Sequence, residues 1–284
     1  MPVAIVTDSA AALPRDLVAA PDISVVPMWL TVGDESVREG ERDLGELLGD
    51  ERVSTAAPAP GEFGAAIRNK TGSDGVLVLT IAASMSGTHN AAALAAEDVG
   101  GPVRVVDTRT AAGAEALVVL AAAAAAQAGG DLDTVEREAQ RVIDRVRLVA
   151  TVPTLDHLVR SGRVPGIAGW AGRRLNINPM FEFRGSKVHR LRPAIGQPAA
   201  LDRIIGRFRR SIVDGARLHV TAQHALAADE ARELLRRVEE EVAPATAFVG
   251  EFGSVMVVHT GPGLVGLAWW WEEPEPGSGA DPTM

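Results

Sequence analysis

The side chains of this chain that could do chemistry lie in four short polar stretches, each beside an apolar run. Thr7-Asp8-Ser9 follows "VAIV", and Ser84-Met85-Ser86-Gly87-Thr88 follows "VLVLTIAA". Ser161-Gly162-Arg163 follows "TLDHLVR", and His259 stands in "SVMVVHTGPG". Ligands of open α/β sheets bind beyond the carboxyl ends of the strands, so residues just past a strand are the first to consider. Asp8 or Ser9 can accept the free N–H groups of a following helical turn. Ser86-Gly87, at a strand-to-helix turn, presents backbone N–H groups at the positive end of a helix, which suits an anion. A plain helix cap would use the same residues. The stretch is neither a Walker loop nor a Gly-x-Ser-x-Gly elbow.

Arg163 precedes the low-charge run "VPGIAGWAG". An arginine entering apolar surroundings requires an anionic partner, and a guanidinium can bind both oxygens of a carboxylate. That carboxylate is either a ligand or a structural Asp or Glu. Apolar neighbours disfavour the charged form of His259 unless an anion lies nearby. Such a histidine is either a satisfied core residue or a ligand-binding group. Asp8 and Asp107 each end a strand, but no spacing joins them as a pair. No His-Glu-x-x-His, Cys/His cluster or Asp-rich metal loop is present.

The absence of cysteine removes disulfides, thiolate metal sites and a cysteine nucleophile, and it fits the cytoplasm. The opening "MPVAIVTDSA" lacks the features of a signal peptide. The run "ALVVLAAAAAAQAGG" is too short and Ala-rich for a membrane span and reads as a buried helix. A net charge of −9 argues against general nucleic-acid binding. Between Arg184 and Arg217 the balance reverses, with nine Lys/Arg against two acids. That segment is either a solvated face or a docking patch for an anionic partner.

The elements that must position these residues alternate through the first half. Strands are predicted at 3–9, 23–32, 75–83 and 103–108, with helices at 60–69, at 88–99 and from about Gly113. That alternation implies a mostly parallel sheet flanked by helices. A helix over 132–146 places Leu132, Val135, Ala139, Val142, Ile143 and Val146 on one face. "RLVATVP" reads as a strand, and 178–194 reads as a hairpin turning at Gly185-Ser186. The helix over 201–212 buries Leu201, Ile204, Ile205, Phe208 and Ile212 and points its arginines outward. "RLHVTAQ", "TAFVGEF", "SVMVVHT" and "GLVGLAWWW" read as strands, and "ADEARELLRRVEEEV" as a helix. The chain length suits two domains of about 100–200 residues each. We divide it into α/β domains over 1–150 and 151–273 and an acidic, Pro/Gly-rich disordered tail over 274–284.

Together the polar stretches resemble the DegV family, almost end to end from Val3 to about Trp270. "IVTDSAAALP" resembles the family's Asp-Ser turn, and "STAAPAPGEF" its Thr-Ser-x-Pro-Ser segment. "SMSGTHNAA" resembles its Ser-Gly-Thr loop, "LVRSGRV" its Gly-Gly-Arg element and "HTGPGLVGLA" its His-x-Gly-Pro-Gly. The resemblance implies a two-domain α/β fold: a mostly parallel N-terminal sheet, a mixed C-terminal sheet and a lipid tunnel between them. It implies a carrier of one long-chain fatty acid, with no cofactor and no metal, that presents the carboxylate to a separate fatty acid kinase. The carboxylate-binding positions it implies are Thr55, Ser86, Gly87, Arg163 and His259. Arg192 is the nearest match to the family's kinase-docking arginine, and the basic segment suits an acidic kinase or a transient membrane-surface contact. Ala10, Ala56 and Ala59 replace family hydroxyl residues, Ser161 replaces a glycine, and Asn178 stands where the family often has lysine. Two alternatives stay open: a serine hydrolase using Ser86 and His259, and a binder of another small or isoprenoid-type carboxylate.

Overall fold

The computed structural model describes residues 2–19, 23–42, 44–49, 53–70, 72–163, 177–184 and 187–273. The run "VPGIAGWAG", the Gly185-Ser186 turn and the tail over 274–284 lie outside these residues. β1 (Ala4–Asp8) ends in a single 3-10 turn followed by α1 (Arg15–Ala19). The run over 23–32, expected as one strand, divides in two. β2 (Ile23–Val26) pairs with β1, whereas β3 (Trp29–Val32) enters a different sheet. Pro27 separates them, because it has no N–H for a ladder and a fixed φ. β3 pairs antiparallel with β4 (Glu35–Arg38) and, beyond α2 (Leu44–Gly49), with β5 (Val53–Ala56).

α3 (Pro60–Arg68) leads to β6 (Val76–Thr80), whose residues are all buried. α4 (Thr88–Val99) carries the chain to β7 (Val103–Asp107). These strands form a parallel sheet of order β2-β1-β6-β7. An uninterrupted apolar strand such as β6 needs cover on both faces. α5 (Ala112–Gln127) and the amphipathic α6 (Leu132–Ile143) follow, and the six apolar residues predicted to share a face around α6 are all buried.

The second half begins with β8 (Arg147–Thr151), so residue 150 lies inside a strand, and continues with α7 (Asp156–Ser161). β9 (Ile177–Arg184) and β10 (Lys187–Ile195) form the expected hairpin, followed by α8 (Gln197–Arg209), β11 (Arg217–His224) and α9 (Ala228–Glu239). β12 (Thr246–Glu251), α10 (Ser254–Thr260) and β13 (Val265–Glu272) complete a mixed sheet of order β10-β9-β8-β13-β11-β12. The expectation that "SVMVVHT" is a strand is corrected: it is α10. A short run that is apolar on every side looks the same in sequence whether it is a buried strand or a buried helical turn.

On α8, Leu201, Ile204, Ile205 and Phe208 are buried as predicted, and Phe208 meets Trp269 edge-on at 5.9 Å. Ile212 lies past the helix end and is 39% exposed. The arginines are not simply outward. Arg207 and Arg147 hold the buried Glu182 at 2.9 and 2.5 Å, and Arg209 pairs with Glu241 at 2.6 Å. Part of the basic segment is therefore neutralised within the chain, while Lys187 and Arg192 stand exposed on edge strand β10. Among the described residues no helix is long and apolar enough to cross a membrane, and no three His, Cys, Asp or Glu are grouped to hold a metal ion.

α5 lies between the sheets, packed on β1 and β6 of one and on β11 and β13 of the other. It is apolar but for one residue through its first two turns, which are buried on every side, while Ala124 and Gln127 near its end are exposed. Its one buried polar residue is Glu115, in the first turn, with one oxygen 3.5 Å from the Thr7 hydroxyl and the other unpartnered among the described residues. Asp8 is also buried and accepts the N–H groups of Ala10 and Ile81 at 3.0 and 2.9 Å. Burial pushes the Asp8 carboxyl up to about 7, although both backbone hydrogen bonds oppose the shift. Burial, then the charge of Asp8, pushes Glu115 well above the ordinary range.

Both carboxyls hold their protons more tightly in the folded protein than in the unfolded chain. Their contribution to stability is full below the ordinary values of 3.8 and 4.5 and is lost as pH rises through the folded values. Each unit of such a shift is worth about 1.4 kcal/mol. Urea denaturation should show the stability of the parent protein falling between pH 5 and pH 8. Glu115→Gln should flatten that slope and raise the midpoint at pH 8. Parallel pH profiles for the two proteins would contradict this assignment.

Candidate functional site

Thr55 lies on β5, opposite Leu30 of β3, and His259 lies in the last turn of α10. The two are 204 positions apart in the chain and meet at 2.6 Å, Thr55 Oγ1 to His259 Nε2. The direction of that hydrogen bond follows the imidazole tautomer. Both residues border a cavity of about 220 Å³. Leu47, Leu48, Val53 and Val258 supply its apolar wall, and Arg163, at the end of the segment after α7, stands at its edge.

Burial, then the positive charge of Arg163, pushes His259 down to about 4. At neutral pH the ring is therefore uncharged and offers one N–H and one acceptor nitrogen. The expectation that Arg163 enters apolar surroundings is corrected, since its side chain is exposed. Ser161, the departure from the family's glycine, has a local use. Its hydroxyl donates to the Leu158 carbonyl at 2.8 Å and accepts the Arg163 N–H at 3.3 Å, tying Arg163 to the end of α7.

The glycine after Thr260 keeps α10 in register with α7. Gly261 has φ +76, and a Cβ there would lie 2.5 Å from the His157 ring. The turn thus packs on the helix that carries His157 and Arg160, two cavity residues that the polar-stretch pattern missed. Their only sequence signal is the i, i+3 spacing within "DHLVRS", and Arg160 donates to His157 Nδ1 at 3.0 Å.

Ser86 and Gly87 do not border this cavity. Ser86 Oγ lies 2.8 Å from Thr88 Oγ1 and accepts the Thr88 N–H at 3.3 Å, a capping arrangement for α4. Gly87 is exposed, and a Cβ on it would meet only Ala57, at 4.0 Å, two residues beyond Thr55. The strand order explains how the loop after β6 is held. β1 and β7 flank β6, so Asp8 accepts the Ile81 N–H at 2.9 Å and Asp107 accepts the Ala83 N–H at 3.2 Å. The two strand-ending aspartates are thus one device that grips a loop from both sides.

Ala10 is buried behind Asp8, and Ala59 precedes α3 and donates its N–H to Glu62 at 2.9 Å. Ala56 is exposed, and Asn178 bridges β9 to α8 by donating to Gln197 at 2.9 Å. A hydrolase would need Ser86 bonded to His259. Here His259 bonds Thr55, and Ser86 bonds Thr88. A neutral imidazole, a hydroxyl and guanidinium groups beside an apolar wall suit binding of one anionic head group on an apolar body.

A family model described as "Uncharacterised protein, DegV family" matches residues 2–272. A DegV domain-containing protein of Streptomyces coelicolor is 35% identical, over 93% of this chain and 97% of its own length. A fatty acid-binding protein of Thermotoga maritima is 28% identical, over 94% of this chain and 97% of its own. The fatty-acid-binding DegV family protein of Thermus thermophilus superposes with a TM-score of 0.88 at 30% identity, covering 95% of this chain and 100% of that one. This chain belongs to the DegV family.

Proposed function

We propose that this protein binds one long-chain fatty acid and presents its carboxylate to a separate fatty acid kinase, which forms the acyl phosphate. The observation that carries the proposal is the meeting of the Thr55–His259 pair with Arg163 around a cavity walled by leucine and valine. A buried carboxylate is costly without charged and hydrogen-bonding partners. Arg163 supplies the charge, and Thr55 and neutral His259 supply hydrogen bonds. The family resemblance adds Ser86 and Gly87 to the set; their loop does not border the cavity but approaches Ala57, two residues beyond Thr55. Burial of the tail contributes about 0.8 kcal/mol per CH₂ and supplies most of the affinity. The fatty-acid-binding proteins of Thermus and Thermotoga support the choice of ligand.

In this proposal the chain is a cytoplasmic carrier without cofactor or catalytic residue of its own, serving phospholipid metabolism. Its two α/β units, divided near residue 150, enclose the ligand. Arg192, exposed on edge strand β10, docks the kinase together with its basic neighbours, which also allow transient contact with an anionic membrane surface.

Native mass spectrometry of freshly purified protein should show one fatty acid per chain. A clean apo mass with no uptake of added palmitate or oleate would sink the proposal, and extraction of another acid would replace the ligand. Arg163→Ala and His259→Ala should each weaken palmitate binding by about tenfold to a hundredfold, the range of a charge-assisted or buried hydrogen bond. Both should remain folded.

A bound carboxylate favours the imidazolium form, so it raises the His259 pKa above about 4. The complex then binds more protons than the free protein, and affinity rises as pH falls between the free and bound values. Calorimetry in buffers of different ionisation enthalpy should detect proton uptake on binding at pH values above the free value of about 4. His259→Gln should abolish it.

A further inference from the structure

Glu39 directly follows β4, and its N–H donates to the Met28 carbonyl at 3.0 Å. The Met28 N–H donates to Ser9 Oγ at 3.0 Å, so the base of the β3–β4 hairpin is tied to the turn after β1. From there the Glu39 side chain reaches α10, where Oε1 accepts the Val255 N–H at 2.9 Å. Val255 lies in the first turn of α10, whose N–H groups lack partners within the helix. The capping position is Gly253, which has no side chain to satisfy them. A Cβ on Gly253 would collide with Glu39 Oε1, so glycine is the residue that lets this carboxylate in.

One small sheet therefore holds α10 at both ends. Glu39 binds its first turn, and Thr55 binds His259 in its last turn. The helix has only seven residues, about 10 Å of length at 1.5 Å per residue. Two fixed points over that distance set its translation and its rotation. A helix advances about 100° per residue, so a small slip in register would carry the imidazole away from Thr55. Glu39 is also an expensive cap. Its Oε2 is buried without a partner among the described residues, and burial raises its pKa despite hydrogen bonds from Ser9 and Val255. Asp8 adds a second carboxyl nearby. A short polar side chain at position 253 would cap the helix more simply. It could not join the helix to the sheet that carries Thr55.

We infer that Glu39 is a positioning residue, which fixes α10 on the three-stranded sheet and so holds His259 against Thr55. Its consequence for ligand binding rests on the carboxylate role proposed for His259. The test is an NMR titration of the His259 ring in the full chain without ligand, paired with palmitate affinity. In Glu39→Ala the ring should titrate well above the parent's value of about 4, toward 6.5, and palmitate should bind about tenfold more weakly. Glu39→Gln keeps an oxygen for the Val255 N–H and should retain both properties. Gly253→Ala should reproduce Glu39→Ala with Glu39 still present. If Glu39→Ala does not fold, Glu39→Asp, one methylene shorter, takes its place and should give the same direction of change.

An unaltered His259 titration in a folded Glu39 variant overturns the inference, as does Glu39→Gln behaving like Glu39→Ala. If the parent binds no palmitate yet the titration shifts, the positioning role stands and the proposed ligand falls. If the parent binds palmitate and the titration does not move, the positioning role alone falls.

Discussion

Two sheets share one helix, and that constraint shapes the rest of the molecule. α5 packs on β1 and β6 from one side and on β11 and β13 from the other. Gly113 in its first turn allows the close approach to the second sheet, since a Cβ there would lie 2.7 Å from the Thr221 side chain of β11. The cost falls on the polar groups trapped at the same level. Glu115 and Asp8 keep their protons near neutral pH because burial there disfavours charge. Asp8 nevertheless accepts two backbone N–H groups, one of them on the loop leading to Ser86 and Gly87.

The site lies where elements from distant parts of the chain converge. β5 brings Thr55, α10 brings His259, and the end of α7 brings Arg163. None of these elements exceeds seven residues, so none would hold its shape alone. Their geometry comes from polar contacts between them: Thr55 with His259, Glu39 with Val255, and Ser161 with the Arg163 backbone. The result is a neutral imidazole beside a positive guanidinium, with valine and leucine behind. That environment is prepared for an anion, which would relieve the burden that burial and Arg163 place on the ring.

Much of this is legible in the sequence. Strand–helix alternation specified the parallel sheet, since the continuous apolar runs of β6 and its neighbours need helices on both sides. The 3.6-residue spacing of α6 and α8 marked their buried faces, and the ordered polar stretches pointed to the DegV family. The error on "SVMVVHT" has a plain cause. A seven-residue run that is apolar on every side carries no period to separate strand from helix. The same holds for 23–32, where Pro27 divides one apparent strand between two sheets.

Local pattern thus determines strand, helix or turn wherever a run carries a period, because periodicity and turn chemistry act over a few residues. It also names the side chains able to meet an anion. It does not say which of them touch. That Thr55 reaches His259, that Asp8 and Asp107 grip one loop, and that Glu39 caps α10 across 216 positions followed only from the packed chain. These contacts depend on strand order and on helix placement around α5, which arise from burial summed over the whole molecule.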